Sequence, residues 1–170
     1  LRLMADAAPE LMLAVSCSKT FGLYRDRTGA AFVLTADLRD RGAAQAALEG
    51  ATRDTISMPP DHGAALARMI LEDPALRTDW AAELEDMRAR MARLRAGLAD
   101  ALAARQAGGR WPGLAAGRGM FALLGLSEET VARLRQERGV YLAPGGRLNT
   151  AGLPEDPAAM DRLAAALAEA

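Results

Sequence analysis

Of the twenty-one lysines and arginines in this 170-residue chain, a single one is a lysine, Lys19. Where only a surface positive charge is wanted, either residue serves. A guanidinium, with a pKa above about 12, keeps its proton, whereas a lysine amine can lose one and attack a carbonyl carbon. Lys19 is therefore a candidate nucleophile, of the kind that forms Schiff bases with carbonyl substrates and with pyridoxal phosphate. The alanine-rich composition would also let one lysine survive by chance, so the flanking residues decide. Ser16, Ser18 and Arg27 lie within a dozen positions of Lys19. Two hydroxyls and a guanidinium are suitable anchors for a phosphate.

The elements that must carry these residues are legible from pattern. Leu11–Val15 and Gly29–Thr35 are short apolar runs without alternation, the signature of strands covered on both faces. Such strands predict an α/β arrangement with a mostly parallel sheet between helices. Asp37 is placed to cap a helix to about Glu49, ended by Gly50. Pro59-Pro60 leads into a helix over about 61–71. A long helix runs from Asp73-Pro74 to about Gln106, stopped by Gly108-Gly109. Trp80, Leu84, Met87, Met91, Leu94, Leu98 and Leu102 form its apolar stripe, and Glu83, Glu85, Asp86, Arg88, Arg90, Arg93 and Arg95 fill much of the remainder. Beyond it, a strand over 119–124, a helix from Ser127 to Arg138, strands at 139–142 and 147–150 around Pro144-Gly145-Gly146, and a helix over 156–168 make an α+β unit. The expected division is 1–86 and 87–170.

Composition removes other classes. The net charge is −1, with both signs interspersed, which gives no footprint for nucleic acid or an anionic membrane. No uncharged apolar stretch approaches the roughly 18 residues of a membrane span. Arg2 and Asp6 in the first turn argue against a secretory signal. One cysteine excludes an internal disulfide and fits a reducing compartment. A soluble, cytoplasmic protein without a metal centre is expected. The chain opens at Leu1 and runs directly into helix and strand, as a piece of something longer would.

The stretch Ser16-Cys17-Ser18-Lys19-Thr20-Phe21-Gly22-Leu23-Tyr24-Arg25-Asp26-Arg27-Thr28-Gly29 resembles the cofactor-lysine segment of the class I aminotransferases, the aspartate and aromatic amino acid branch. Arg53 with Ser57, Pro59-Pro60 and His62-Gly63 resembles a second family segment, Gly119-Met120-Phe121 a third, and Gly146-Arg147-Leu148-Asn149-Thr150-Ala151-Gly152 a fourth, all in family order. The resemblance implies the fold type I architecture: the end of a large pyridoxal-phosphate-binding domain, then most of a small C-terminal domain. It implies that Lys19 holds pyridoxal 5'-phosphate covalently and later moves the substrate proton. Ser16, Ser18 and Arg27 would bind the phosphate and Arg147 the substrate α-carboxylate. Phe121 would pack near the substrate. Arg53 would meet a distal carboxylate in the neighbouring subunit of a homodimer.

The implied reaction is amino transfer between an aromatic amino acid or aspartate and a 2-oxo acid such as 2-oxoglutarate. Met58, where the family segment leads one to expect asparagine, and the Ser-Cys-Ser-Lys variant lean toward the aromatic or broad-specificity branch. The resemblance covers only the last two-fifths of such an enzyme. The aspartate that pairs with the pyridine nitrogen would lie upstream, so the chain alone is expected to be inactive. Two other readings stand beside this one. A decarboxylase or lyase on the same scaffold would use the same lysine, and a non-catalytic interaction module would use the long helix as a docking face.

Overall fold

The computed structural model describes residues 2–170. They divide into two compact units, the first extending to Ala81 and the second running from Ala82 to Ala170. The elements in order are α1 (Arg2–Ala7), β1 (Leu11–Ser16), β2 (Gly29–Leu34), α2 (Arg41–Ile56), α3 (His62–Glu72), α4 (Pro74–Ala104), β3 (Phe121–Leu123), α5 (Glu128–Arg138), β4 (Arg147–Asn149) and α6 (Pro157–Ala168). Among the described residues no helix is long and apolar enough to cross a membrane.

In the first unit β1 and β2 form a two-stranded antiparallel sheet, from Leu11 opposite Leu34 to Ser16 opposite Gly29. This corrects the expectation of a mostly parallel sheet. Apolar runs report burial, not direction. Residues 17–28 return as a loop, and parallel neighbours would need a crossover element in that place. Nor are both faces covered here, since Met12 is 77% and Phe32 49% exposed. The helix after Asp37 also differs. Asp37 caps only a 3-10 turn over Leu38–Asp40, accepting from the Arg39 N–H, and the Arg39 guanidinium holds its carboxyl below the usual carboxylate range. α2 then runs straight through Gly50 to Ile56. Interior glycine costs a helix only about 1 kcal/mol, so it need not stop one. The stop comes at Ser57, whose φ of 63° leaves helical space just before Pro59-Pro60.

α4 is 31 residues long. Its start is made by Asp73, whose carboxylate accepts from the N–H groups of Ala75 at 2.8 Å and Leu76 at 3.0 Å, with Pro74 in the first helical position. Its end precedes the Gly108-Gly109 pair expected to stop it. Gln106, at φ 58°, turns the chain, and the Ala107 N–H donates to the Leu102 carbonyl at 2.9 Å.

The second unit is built around the C-terminal half of α4. Leu98 and Leu102 are fully buried, with Leu94 beside them, among Leu124, Leu126, Val131, Leu134, Leu148 and Leu167. The N-terminal half of the stripe is different, for Met87 is exposed. Leu98→Ala would leave a void at the centre of this cluster. It is expected to destabilise the unit by about 2–5 kcal/mol, read as a lower urea midpoint.

β3 and β4 pair antiparallel, Phe121 opposite Asn149 and Leu123 opposite Arg147. Ser127 caps α5 by accepting from the Thr130 N–H at 3.2 Å, and Asp156 caps α6 by accepting from the Ala159 N–H at 2.7 Å, both as the pattern predicts. The strand expected at 139–142 is not formed. Gly139 closes α5 in the left-handed conformation, Leu142 is buried and Tyr141 exposed, and the only ladder contact nearby joins Ala143 to Arg147. The alternation there recorded burial without a partner strand.

Candidate active site

The loop after β1 carries the residues singled out around Lys19. Its ends are drawn together by the strand pair and by the Cys17 N–H, which donates to the Thr28 carbonyl at 3.0 Å. Within it, the Phe21 N–H donates to the Cys17 carbonyl at 3.0 Å, closing a tight turn that contains Lys19. The Ser16 hydroxyl donates to the Ser18 hydroxyl at 2.9 Å and accepts from the Ser18 N–H at 3.2 Å. The two serines are thus a single hydroxyl pair, with Ser18 buried at 4% exposure. Lys19 is exposed, its Nζ 4.7 Å from the centre of the Tyr24 ring. That face of an aromatic ring attracts an ammonium. Arg27 adopts φ 53° and donates through Nη1 to the Tyr24 carbonyl at 3.1 Å. A non-glycine residue held in that region is strained and must be kept there by its surroundings.

Two other elements brace the loop. α3 approaches so closely at Gly63 that a Cβ there would stand 1.9 Å from Thr28 Oγ1 and 2.8 Å from Asp26 Cβ. Only glycine permits this approach. Gly63→Ala is expected to cost about 1–3 kcal/mol through forced displacement of the 26–28 turn. The readouts are a lower thermal midpoint and faster hydrogen exchange at the Cys17 amide. From α4, the Trp80 indole N–H donates to the Thr20 carbonyl at 2.7 Å. The Trp80 ring also stacks on Phe21, with centroids 4.7 Å apart and planes 14° from parallel. The apolar stripe had placed Trp80 in a core. Its role at the loop was not visible, because a 60-residue separation leaves no local signal.

Phe121 and Arg147 meet in the second unit. Alternation along the paired strands places Phe121, Leu123, Arg147 and Asn149 outward, and Leu148 is buried on the other side. The Arg147 guanidinium lies over the Phe121 ring, 5.2 Å from its centre, where the ring face attracts a cation. The preceding turn needs Gly146, since a Cβ at its φ of 70° would come within 2.9 Å of Leu126. Thr150 secures the strand's far end, fully buried, with its hydroxyl and its N–H both donating to the Met120 carbonyl at 2.8 Å.

Arg95, expected on a solvated face, is instead 4% exposed and donates to the Gly119 carbonyl at 2.5 Å, steadying the entry to β3. Arg90 likewise donates to the Ala151 carbonyl at 3.0 Å and pairs with Glu155. Arg53 is exposed in the last turn of α2.

The first unit therefore gathers one primary amine, a hydroxyl pair and a guanidinium on one braced loop. This donor set fits a phosphorylated aldehyde: an amine for the carbonyl carbon, hydroxyls and a cation for the phosphate. Comparison with known proteins agrees in kind. The sequence model of the family described as "Aminotransferase class I and II" matches residues 1–167. The chain belongs to that family. The chain is 49% identical over 162 residues to the tyrosine aminotransferase of Rhizobium meliloti, covering 94% of itself and 40% of that relative. Its fold matches a solved aromatic amino acid aminotransferase with 3-indolebutyric acid at a TM-score of 0.90 and 43% identity, over 99% of this chain and 42% of the other. It also matches an aromatic-amino-acid aminotransferase from Burkholderia pseudomallei covalently bound to pyridoxal phosphate. There the TM-score is 0.85 and the identity 35%, over 99% of this chain and 42% of the other. The chain thus spans about two-fifths of the length of these relatives.

Proposed function

We propose that this chain is the C-terminal part of a pyridoxal-phosphate-dependent aminotransferase that moves an amino group between an aromatic amino acid or aspartate and a 2-oxo acid such as 2-oxoglutarate. The observation that carries the reading is Lys19, the sole lysine, set on a braced loop with the Ser16–Ser18 hydroxyl pair and Arg27. In the same reading residues 1–86 end the large domain and 87–170 form most of the small one.

Bound pyridoxal phosphate would act as an electron sink for the carbanion left when the substrate Cα–H is broken. The chain's own residues have separable tasks around that chemistry. Ser16, Ser18 and Arg27 would hold the phosphate by hydroxyl and charge-assisted hydrogen bonds. The Lys19 amine would hold the cofactor through its carbonyl carbon and, when free, would take the proton from the substrate Cα and give it back. Arg147 would grip the substrate α-carboxylate as a planar fork, with the Phe121 ring face beside its guanidinium. A retained α-carboxylate grip suits amino transfer, in which that group survives, better than decarboxylation.

Arg53 serves the partner subunit of a homodimer by receiving a side-chain carboxylate when the substrate has one. Met58, where the family segment leads one to expect asparagine, and the Ser16-Cys17-Ser18-Lys19 variant favour the aromatic or broad-specificity branch. The single cysteine and the interspersed charge fit a cytoplasmic enzyme. The test is chemical. Pyridoxal phosphate is added to the complete polypeptide, the absorbance band near ~420 nm is followed, and the protein is reduced with borohydride and digested. The label is expected on the peptide containing Lys19; a label elsewhere sinks the assignment.

A further inference from the structure

Trp80 is half-buried, so filling a core does not account for its position. Its hydrogen bond and its ring stack fall on the residues that follow Lys19: the indole N–H on the Thr20 carbonyl at 2.7 Å, and the ring on Phe21 at 4.7 Å. On the other side of Lys19, the turn is held by the hydrogen bond from the Phe21 N–H to the Cys17 carbonyl, and Cys17 in turn is held to Thr28. A lysine side chain is a flexible four-carbon stem. Where its amine can act therefore depends on how firmly the backbone beneath it is held. Before Lys19 the backbone is held by the local turn and by the Ser18 N–H on the Ser16 hydroxyl, and after it α4 supplies an anchor through one side chain. An indole N–H suits this task because it donates once and accepts nothing. It can hold a carbonyl beside the lysine without competing for the amine's proton.

We infer that Trp80 is a positioning residue for Lys19: by holding the Thr20 carbonyl, its indole N–H sets the direction from which the amine meets its reaction partners. This inference rests on the reading of Lys19 as the cofactor-holding amine. It also makes the first turns of α4 part of the working apparatus of the site, where the sequence pattern indicates only an apolar stripe.

The test uses the complete enzyme and two variants that separate the two contacts. Trp80→Phe keeps a ring to stack on Phe21 and removes the N–H donor; Phe21→Leu removes the stack and keeps the donor. Steady-state kinetics, the visible circular dichroism of the bound cofactor and the far-ultraviolet thermal midpoint are measured on each. In Trp80→Phe, kcat is expected to fall about tenfold with KM within about twofold, because misplacement of a reacting group lowers turnover more than binding. The visible dichroism should lose intensity, reporting an altered angle between cofactor and protein. In Phe21→Leu the midpoint should fall while kcat stays within about twofold of the parent.

Unchanged kcat and dichroism in Trp80→Phe overturn the inference. Equal kinetic losses in both variants, tracking the thermal midpoint, overturn it as well. So does failure of Trp80→Phe to fold while Phe21→Leu folds, which assigns the contact to stability. Borohydride labelling of the parent enzyme separates the two levels. If Lys19 carries no label, the reading of the site fails; if Lys19 is labelled and Trp80→Phe behaves as the parent, only the positioning role fails.

Discussion

Lys19→Ala in the complete enzyme is expected to lower transaminase turnover by roughly 10³–10⁴-fold and to abolish borohydride labelling of its peptide. In the proposed reading two separate tasks are lost with one amine, cofactor retention through a covalent link and proton movement at the substrate carbon. The informative companion is Lys19→Arg. It keeps a positive charge over the Tyr24 ring, 4.7 Å away in the parent, but presents a group that does not give up its proton. The two variants should therefore fail alike. If Lys19→Arg retained substantial turnover, the residue would be acting as a charge and the nucleophile would have to be sought elsewhere. Because Lys19 is exposed, neither variant should move the thermal midpoint of the protein free of cofactor.

Arg147→Leu should be the next most damaging change. The loss of a charge-assisted, two-point hydrogen bond to a carboxylate is expected to cost about 2–3 kcal/mol. That corresponds to a fall of roughly 30- to 150-fold in kcat/KM. The loss should be the same for aromatic and dicarboxylic donors, since both present an α-carboxylate. Arg53→Leu is the contrasting measurement: it should penalise dicarboxylic substrates and leave aromatic ones nearly untouched. Arg147→Lys is not a rescue, because an ammonium cannot reproduce the planar fork. A uniform loss from Arg147→Leu together with a selective loss from Arg53→Leu would assign the two arginines to the two ends of the substrate. The reverse pattern would exchange their roles.

Much of the site was open to reading because its residues are close in sequence. Ser16, Ser18, Lys19 and Arg27 share one loop, and the chemistry each side chain can perform does not depend on the fold around it. Helix starts at Asp73, Ser127 and Asp156 were equally accessible, since a capping side chain bonds to an N–H only two or three residues away. The apolar stripe of α4 was right where it meets a core, at Leu94, Leu98 and Leu102.

The amino-acid order was sufficient to bring forward a candidate chemistry and most of the elements, since both depend on side-chain type and on neighbours a few positions apart. Folding in three dimensions settled the rest: the antiparallel return of β2, the helix passing through Gly50, the burial of Arg95 against the Gly119 carbonyl, and the reach of Trp80 to Thr20. Each of these depends on which distant group happens to stand opposite. Local propensities of about 1 kcal/mol or less are too small to dictate such pairings, whereas a packed contact between remote segments easily outweighs them.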